Sequence, residues 1–170
     1  MKRRSVKSAV VFIYAIICVA ILYGCSSKPS DYDVEEVICV YNYGDIDKAE
    51  LDIFTSDGTV QQYIVGPYSD SGVDLFNGEV PSDDKCERKE FTVSLEEWNN
   101  VVDAIKSSDF LTLPEELPEV EAYDGSTCYI EVKTSIGDHR SGGYCAGSGS
   151  GNKHERFYNV KKVLFDLRRK

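Results

Sequence analysis

Residues 127–134 read Thr-Cys-Tyr-Ile-Glu-Val-Lys-Thr, residues 135–138 read Ser-Ile-Gly-Asp, and residues 139–145 return as His-Arg-Ser-Gly-Gly-Tyr-Cys. Apolar and polar side chains alternate, which puts Cys128, Ile130 and Val132 on one face of a strand and Tyr129, Glu131 and Lys133 on the other. The glycine-bearing step that follows is a turn, so the stretch reads as a β-hairpin. With Ile136-Gly137 or all of 135–138 as its loop, Cys128 is expected directly opposite Cys145, and Tyr129 opposite Tyr144. The apolar face of this hairpin needs a layer to cover it.

Upstream, residues 34–43 are rich in β-branched and aromatic side chains and predict a strand. Residues 49–55 and 59–65 flank Ser56-Asp57-Gly58, and Asp-Gly between two such runs is a hairpin signal. Residues 66–85 are rich in glycine, proline and aspartate and read as a loop, and 87–93 as a short strand. Ser94-Leu95-Glu96-Glu97 is a capping box, in which the Ser94 hydroxyl and the Glu97 carboxylate satisfy each other's backbone amides. Leu95, Trp98, Val101, Val102 and Ile105 then recur at helical spacing, with Phe110, Leu111 and Leu113 continuing inward. Residues 115–124 read as an acidic loop and 146–152, Ala-Gly-Ser-Gly-Ser-Gly-Asn, as a flexible linker. A last helix over 153–169 aligns Phe157, Val160, Leu164 and Leu167. The order of elements predicts an α+β domain: an antiparallel sheet built from ββα-type units, with two helices packed on one face.

At 170 residues, 42% of them hydrophobic, the chain can build one ordinary core. Its formal charge of −10 argues against a nucleic-acid partner. The N-terminus has a different character. Lys2, Arg3, Arg4 and Lys7 precede an apolar run over residues 9–23, which is signal-peptide length and shorter than the ~20 residues of a spanning helix. The run ends in Leu22-Tyr23-Gly24-Cys25. Here the chain resembles the bacterial lipoproteins, whose lipobox has Leu, a residue, Gly or Ala, then Cys. The resemblance implies cleavage before Cys25, a thioether from its sulfur to diacylglycerol, and residence at the cell membrane or outer membrane, facing out of the cytoplasm. Beyond the N-terminal segment, the body looks like the small uncharacterised bacterial lipoprotein domains. The alternative is an uncleaved N-terminal helix with an unmodified Cys25. Cleavage would remove four basic and no acidic side chains, taking the charge from −10 to −14, and would leave residues 25–33 as a polar tether to a domain over 34–170.

In an exported domain the even set Cys39, Cys86, Cys128 and Cys145 suggests disulfides. The expected hairpin register pairs Cys128 with Cys145 and leaves Cys39 for Cys86; four buried thiols are the alternative. No Cys-x-x-Cys or clustered histidine marks a zinc site, and no metal or other cofactor is implied. His139 and His154 are expected at the surface, and a Cys145–His154 nucleophile and base would be lost on oxidation of Cys145. The acids of Asp70-Ser71-Gly72-Val73-Asp74 and Asp83-Asp84 lack EF-hand spacing and read as a solvated loop. The basic residues of the last helix either meet anionic lipid headgroups or, more plainly, complement the helix dipole and keep its outer face wet.

Tyr129 and Tyr144, on the face away from the helices, form a candidate aromatic patch for a protein or sugar. The function expected is that of a monomeric, lipid-anchored binding or interaction module rather than an enzyme. The alternatives are a hydrolase of envelope polymers using a carboxylate pair, and an inhibitor or immunity-type protein with an acidic surface.

Overall fold

A computed structural model of the chain describes residues 32–123 and 125–168. The expected signal sequence, the expected lipobox with Cys25 and nearly all of the expected tether lie outside the described residues. Six strands, β1 (Val34–Asn42), β2 (Ala49–Thr55), β3 (Thr59–Val65), β4 (Glu87–Thr92), β5 (Thr127–Thr134) and β6 (Gly137–Tyr144), form one antiparallel sheet in the order β4-β3-β2-β1-β5-β6. Helix α1 (Leu95–Ser107) follows β4 and helix α2 (Asn152–Leu167) follows β6, so the arrangement is α+β.

Local chemistry sets the joints. Between β2 and β3 the Asp57 carboxylate accepts from Thr55 Oγ1 at 2.6 Å and Thr59 N at 2.9 Å. Gly58 turns with φ +87°, where a side chain would be strained and its Cβ would press on the Val93 carbonyl. The capping box of α1 is complete: Glu97 N donates to Ser94 Oγ at 3.2 Å and Ser94 N to Glu97 Oε2 at 2.8 Å. Trp98, Val101 and Ile105 are buried, whereas Leu95 on the first turn is 73% exposed, outside the stripe expected for it.

Helix α2 lies on the face that carries Cys39, Asp52, Cys128 and Ile130, as the Tyr41–Phe165 ring contact and the bond from Arg168 to Asp52 show, and α1 packs beside it. Three basic residues of this last segment are used internally, while Lys153 and Lys162 are exposed. Arg168 ion-pairs with Asp52 and Glu50, Arg156 donates to the Ser108 and Asp109 carbonyls, and Lys161 donates to the Ala146 carbonyl at 3.2 Å. Neither of the roles expected for Arg168 and Lys161, capping the dipole or wetting the outer face, describes these contacts.

The opposite face has a core of its own. Val40, Ala49, Leu51, Tyr63 and Val65 project from the strands and are covered by Val73 and Leu75 of the 66–85 segment, with Tyr68 and Phe76 packed against them. The acids of that segment stay exposed as expected, while its apolar residues form a second layer. Asp74 accepts from Asn77 N at 3.2 Å and Asn77 Nδ2 at 2.6 Å, which shapes the turn carrying Leu75 inward.

The β5–β6 register differs from the expected one. The loop is Ser135-Ile136: Thr134 pairs with Gly137, and Thr134 Oγ1 accepts from Ile136 N while donating to the Gly137 carbonyl at 2.6 Å. The Ser135 hydroxyl and amide are tied to Asp33. These hydroxyl bonds close the turn one residue early, and the glycine becomes the first residue of β6. Cys128 therefore stands opposite Gly143, while Cys145 lies past the end of the strand with φ +53°. All four cysteines of the domain are free thiols. Cys39 and Cys86 sit on opposite faces, Cys39 under the helices and Cys86 against the second core, and the bridge expected between them is not formed in this structure. The thiol that Cys128 meets is Cys39, its diagonal neighbour on β1, and both are fully buried.

Candidate functional site

Residue parity brings Tyr129 and Tyr144 together. The observed register is displaced by two from the expected one, and an even displacement keeps every side chain on its face. Tyr129 pairs with Gly142 and Thr127 with Tyr144, so the two tyrosines are diagonal neighbours rather than directly opposite. Both line a groove of about 430 Å³, together with Thr127 of β5 and Glu116, Leu117, Glu119 and Val120 of the segment before it.

That segment is a strap laid along the free edge of β6. Gly142 N donates to the Glu115 carbonyl at 3.0 Å, Leu117 N to the Gly142 carbonyl at 2.8 Å, and Ser141 Oγ to the Pro114 carbonyl at 2.8 Å. A side chain at 142 would collide with the Cys128 carbonyl and the Tyr129 backbone of β5, and one at 143, where φ is +132°, would press on the Glu116 carboxylate of the strap. Leu117 is buried beneath the strap, and its acids face outward.

Hydrogen bonds hold both rings. The Tyr129 hydroxyl donates to Glu116 Oε1 at 2.6 Å, and its ring takes the edge of Phe76 at 5.8 Å and the Arg140 guanidinium at 4.2 Å. Burial, together with the hydrogen bond and charge of Glu116, pushes the Tyr129 phenol up to about 12. The Tyr144 hydroxyl accepts from Gly125 N at 2.7 Å and lies 3.1 Å from the carbonyls of Ala122 and Tyr123, while the residue stays 43% exposed. Neither ring needs ordering before a ligand arrives.

The floor of the strap is pinned by His154. This residue, expected at the surface, is 2% exposed. Its Nδ1 accepts from Gly147 N at 3.2 Å and its Nε2 lies 3.1 Å from the Pro118 carbonyl, which fixes a neutral ring with the proton on Nε2. Both nitrogens are thus engaged, so His154 is no base for Cys145. The expected linker over 146–152 is packed in its first part: Ala146 is buried, and a side chain on Gly149 would strike the His154 ring and Val120, while residues 150–152 are exposed. His139 is half-buried against Phe110 rather than exposed, and burial pushes its imidazole down.

The buried carboxylates are elsewhere. Asp52 and Glu50 face the helix side, where Arg168 binds both, Gln62 Nε2 donates to Asp52 Oδ1 at 3.0 Å and Lys48 lies 2.7 Å from Glu50. Burial pushes the Asp52 carboxyl up against the pull of Arg168 and Gln62. This cluster holds β2 to the end of α2 and opens onto no part of the groove lining. Among the described residues no group of three or more His, Cys, Asp or Glu is placed to hold a metal ion, and no helix is long and apolar enough to cross a membrane.

Glu116, Leu117, Glu119, Val120 and Arg140 were not anticipated as site residues. A signal was present: Leu113, Leu117 and Val120 punctuate the acids of the 113–121 stretch, and a purely solvated loop has no use for them. Comparison of the chain with protein-family models and with curated proteins finds no match in either.

Proposed function

We propose that this protein is a lipid-anchored module of the bacterial cell envelope, held through diacylglycerol on Cys25, whose domain binds a ligand in the groove between Tyr129, Tyr144 and the 115–121 strap. The observation that carries the binding reading is the immobilised pair of tyrosines in one concave site, since aromatic residues held by hydrogen bonds lose little freedom when a ligand covers them. The anchor reading rests on the order of the basic segment, the apolar run and Leu22-Tyr23-Gly24-Cys25. Two acyl chains anchor stably where one is marginal, each buried CH₂ contributing ~0.8 kcal/mol. The carboxylate-pair reading gains nothing from the geometry, because Glu50 and Asp52 are consumed by Arg168.

Both halves are tested in the producing cell. Cys25→Ala abolishes acyl labelling and either releases the protein from membranes or leaves the precursor uncut; unchanged, mature, membrane-bound protein refutes the anchor. A photo-crosslinking residue at position 144 captures a partner or ligand that the same residue at position 158, an exposed tyrosine of α2, does not. Equal capture at the two positions refutes the groove.

A further inference from the structure

We infer that the occupant of the groove is a basic peptide segment of a protein partner, whose lysine or arginine side chain enters between the strap carboxylates and the tyrosine rings. This deepens the groove reading above and depends on it. The charged side chains that line the groove are Glu116 and Glu119. Glu116 offers Oε1 to Tyr129, and Glu119 is exposed, with no hydrogen bond or ion pair among the described residues. The strap that bears them, residues 115–121, also carries Glu115 and Glu121 and no basic residue. Arg140 is spent on the Tyr129 ring and is outside the lining, so the charges that face the groove are acidic, which favours a cationic occupant and speeds its arrival.

The molecule contains its own example of the contact. The guanidinium of Arg140 rests 4.2 Å over the Tyr129 ring, so a ring of this site already accepts a cation on its face. That same contact disfavours a sugar, which would need both tyrosine faces as platforms and finds one of them occupied. Leu117, Val120 and Thr127 complete the lining, and the methylene stem of a long basic side chain can lie along such apolar surface while its charged end meets a carboxylate. A volume of about 430 Å³ suits one or two side chains of an extended segment.

The test uses the full chain in detergent with labelled hexa-arginine and hexa-lysine peptides, a hexa-glutamate peptide and an N-acetylglucosamine tetramer, read by fluorescence anisotropy. The basic peptides should bind saturably, weaken as salt rises, and bind about tenfold less well to the Glu116→Gln/Glu119→Gln variant. The amide oxygen introduced at position 116 can still accept from Tyr129, so the groove keeps its shape. Asp83→Asn/Asp84→Asn removes the same charge outside the groove lining and should leave affinity unchanged. Thr127→Trp fills the groove and should abolish binding; its folding is checked by circular dichroism. Equal weakening by the two double variants, or no binding of basic peptide, overturns the inference. Tetramer binding that Thr127→Trp removes also overturns it, yet leaves the groove standing as a site; the cross-linking result at position 144 judges the groove separately.

Discussion

The guanidinium of Arg168 is bonded to Asp52, lies 3.4 Å from Glu50 and rests 4.2 Å over the Phe165 ring. Two carboxylates this buried are tolerable only with the cation present. Arg168→Ala should therefore lower unfolding stability by about 3–5 kcal/mol in urea titrations, because it strands Asp52 and leaves Glu50 to Lys48 alone. Asp52→Asn/Arg168→Met should cost less than Arg168→Ala alone, since it removes a charge from each side; equal or greater cost would show that the guanidinium contributes by packing alone. Tyr129 links stability to alkaline pH. Its folded phenol is raised from 10 to about 12, so the native state holds this proton more tightly than the unfolded chain does. The contribution is complete below pH 10 and is lost as pH rises to about 12. Tyr129→Phe should flatten part of the alkaline fall in stability, to which Tyr43 and Tyr68, whose phenols burial also raises, contribute as well. At this scale the cysteines were the least legible residues. Their even number suggested bridges, but pairing depends on register, and the register turned on two hydroxyl side chains, Thr134 and Ser135, that no hydrophobic pattern weighs.

Elements were far more legible than their partners. Alternation and capping chemistry located all six strands and both helices, since period-2 and period-3.6 patterns record burial on one side. What alternation does not record is which segment lies across an edge. The strap over β6 is irregular backbone, and its hydrogen bonds go to Ser141 and Gly142 rather than to neighbours in sequence. The glycines of 146–152 suggested freedom, whereas Gly149 is a place where the His154 ring and Val120 come too close for a side chain. His154 joins three of these pieces, the strap, the glycine-rich turn and α2. His154→Ala leaves the Pro118 carbonyl and the Gly147 amide without their partner and should cost about 1–3 kcal/mol. The loss should be local before it is global: hydrogen exchange should quicken at Gly147 and Leu117 while amides in β1 and β2 keep their protection. Uniform acceleration would mean that the pin serves the whole domain and not the groove.

For the molecule as a whole, the sheet is covered on both faces by different means, helices on one and the 66–85 segment on the other. A four-strand meander followed by a return of β5 beside β1 places β1 and β2 at the centre, where both faces must be apolar or paired. The burial of β2 follows: Ala49 and Leu51 enter the second core while Asp52 and Phe54 go under the helices. Helical cover could be foreseen from amphipathic stripes, but cover by a loop rich in aspartate could not, because its few apolar residues follow no period. Leu75 is the test of that second layer, being fully buried among Val40, Leu51, Tyr63 and Val65. Leu75→Ala should cost about 2–5 kcal/mol, the range for emptying a leucine site in a core. Val80, in the same segment but 51% exposed, should tolerate Val80→Ala within about 0.5 kcal/mol. Urea midpoints read both changes, with the slope unchanged if the domain still unfolds as one unit. Since Phe76 takes the edge of the Tyr129 ring, loss of the Leu75 anchor should also loosen the groove from beneath, which quenching of tyrosine fluorescence would register. A small effect of Leu75→Ala would make the segment a passive flap, and the sheet would then have to be stable with one face open to water.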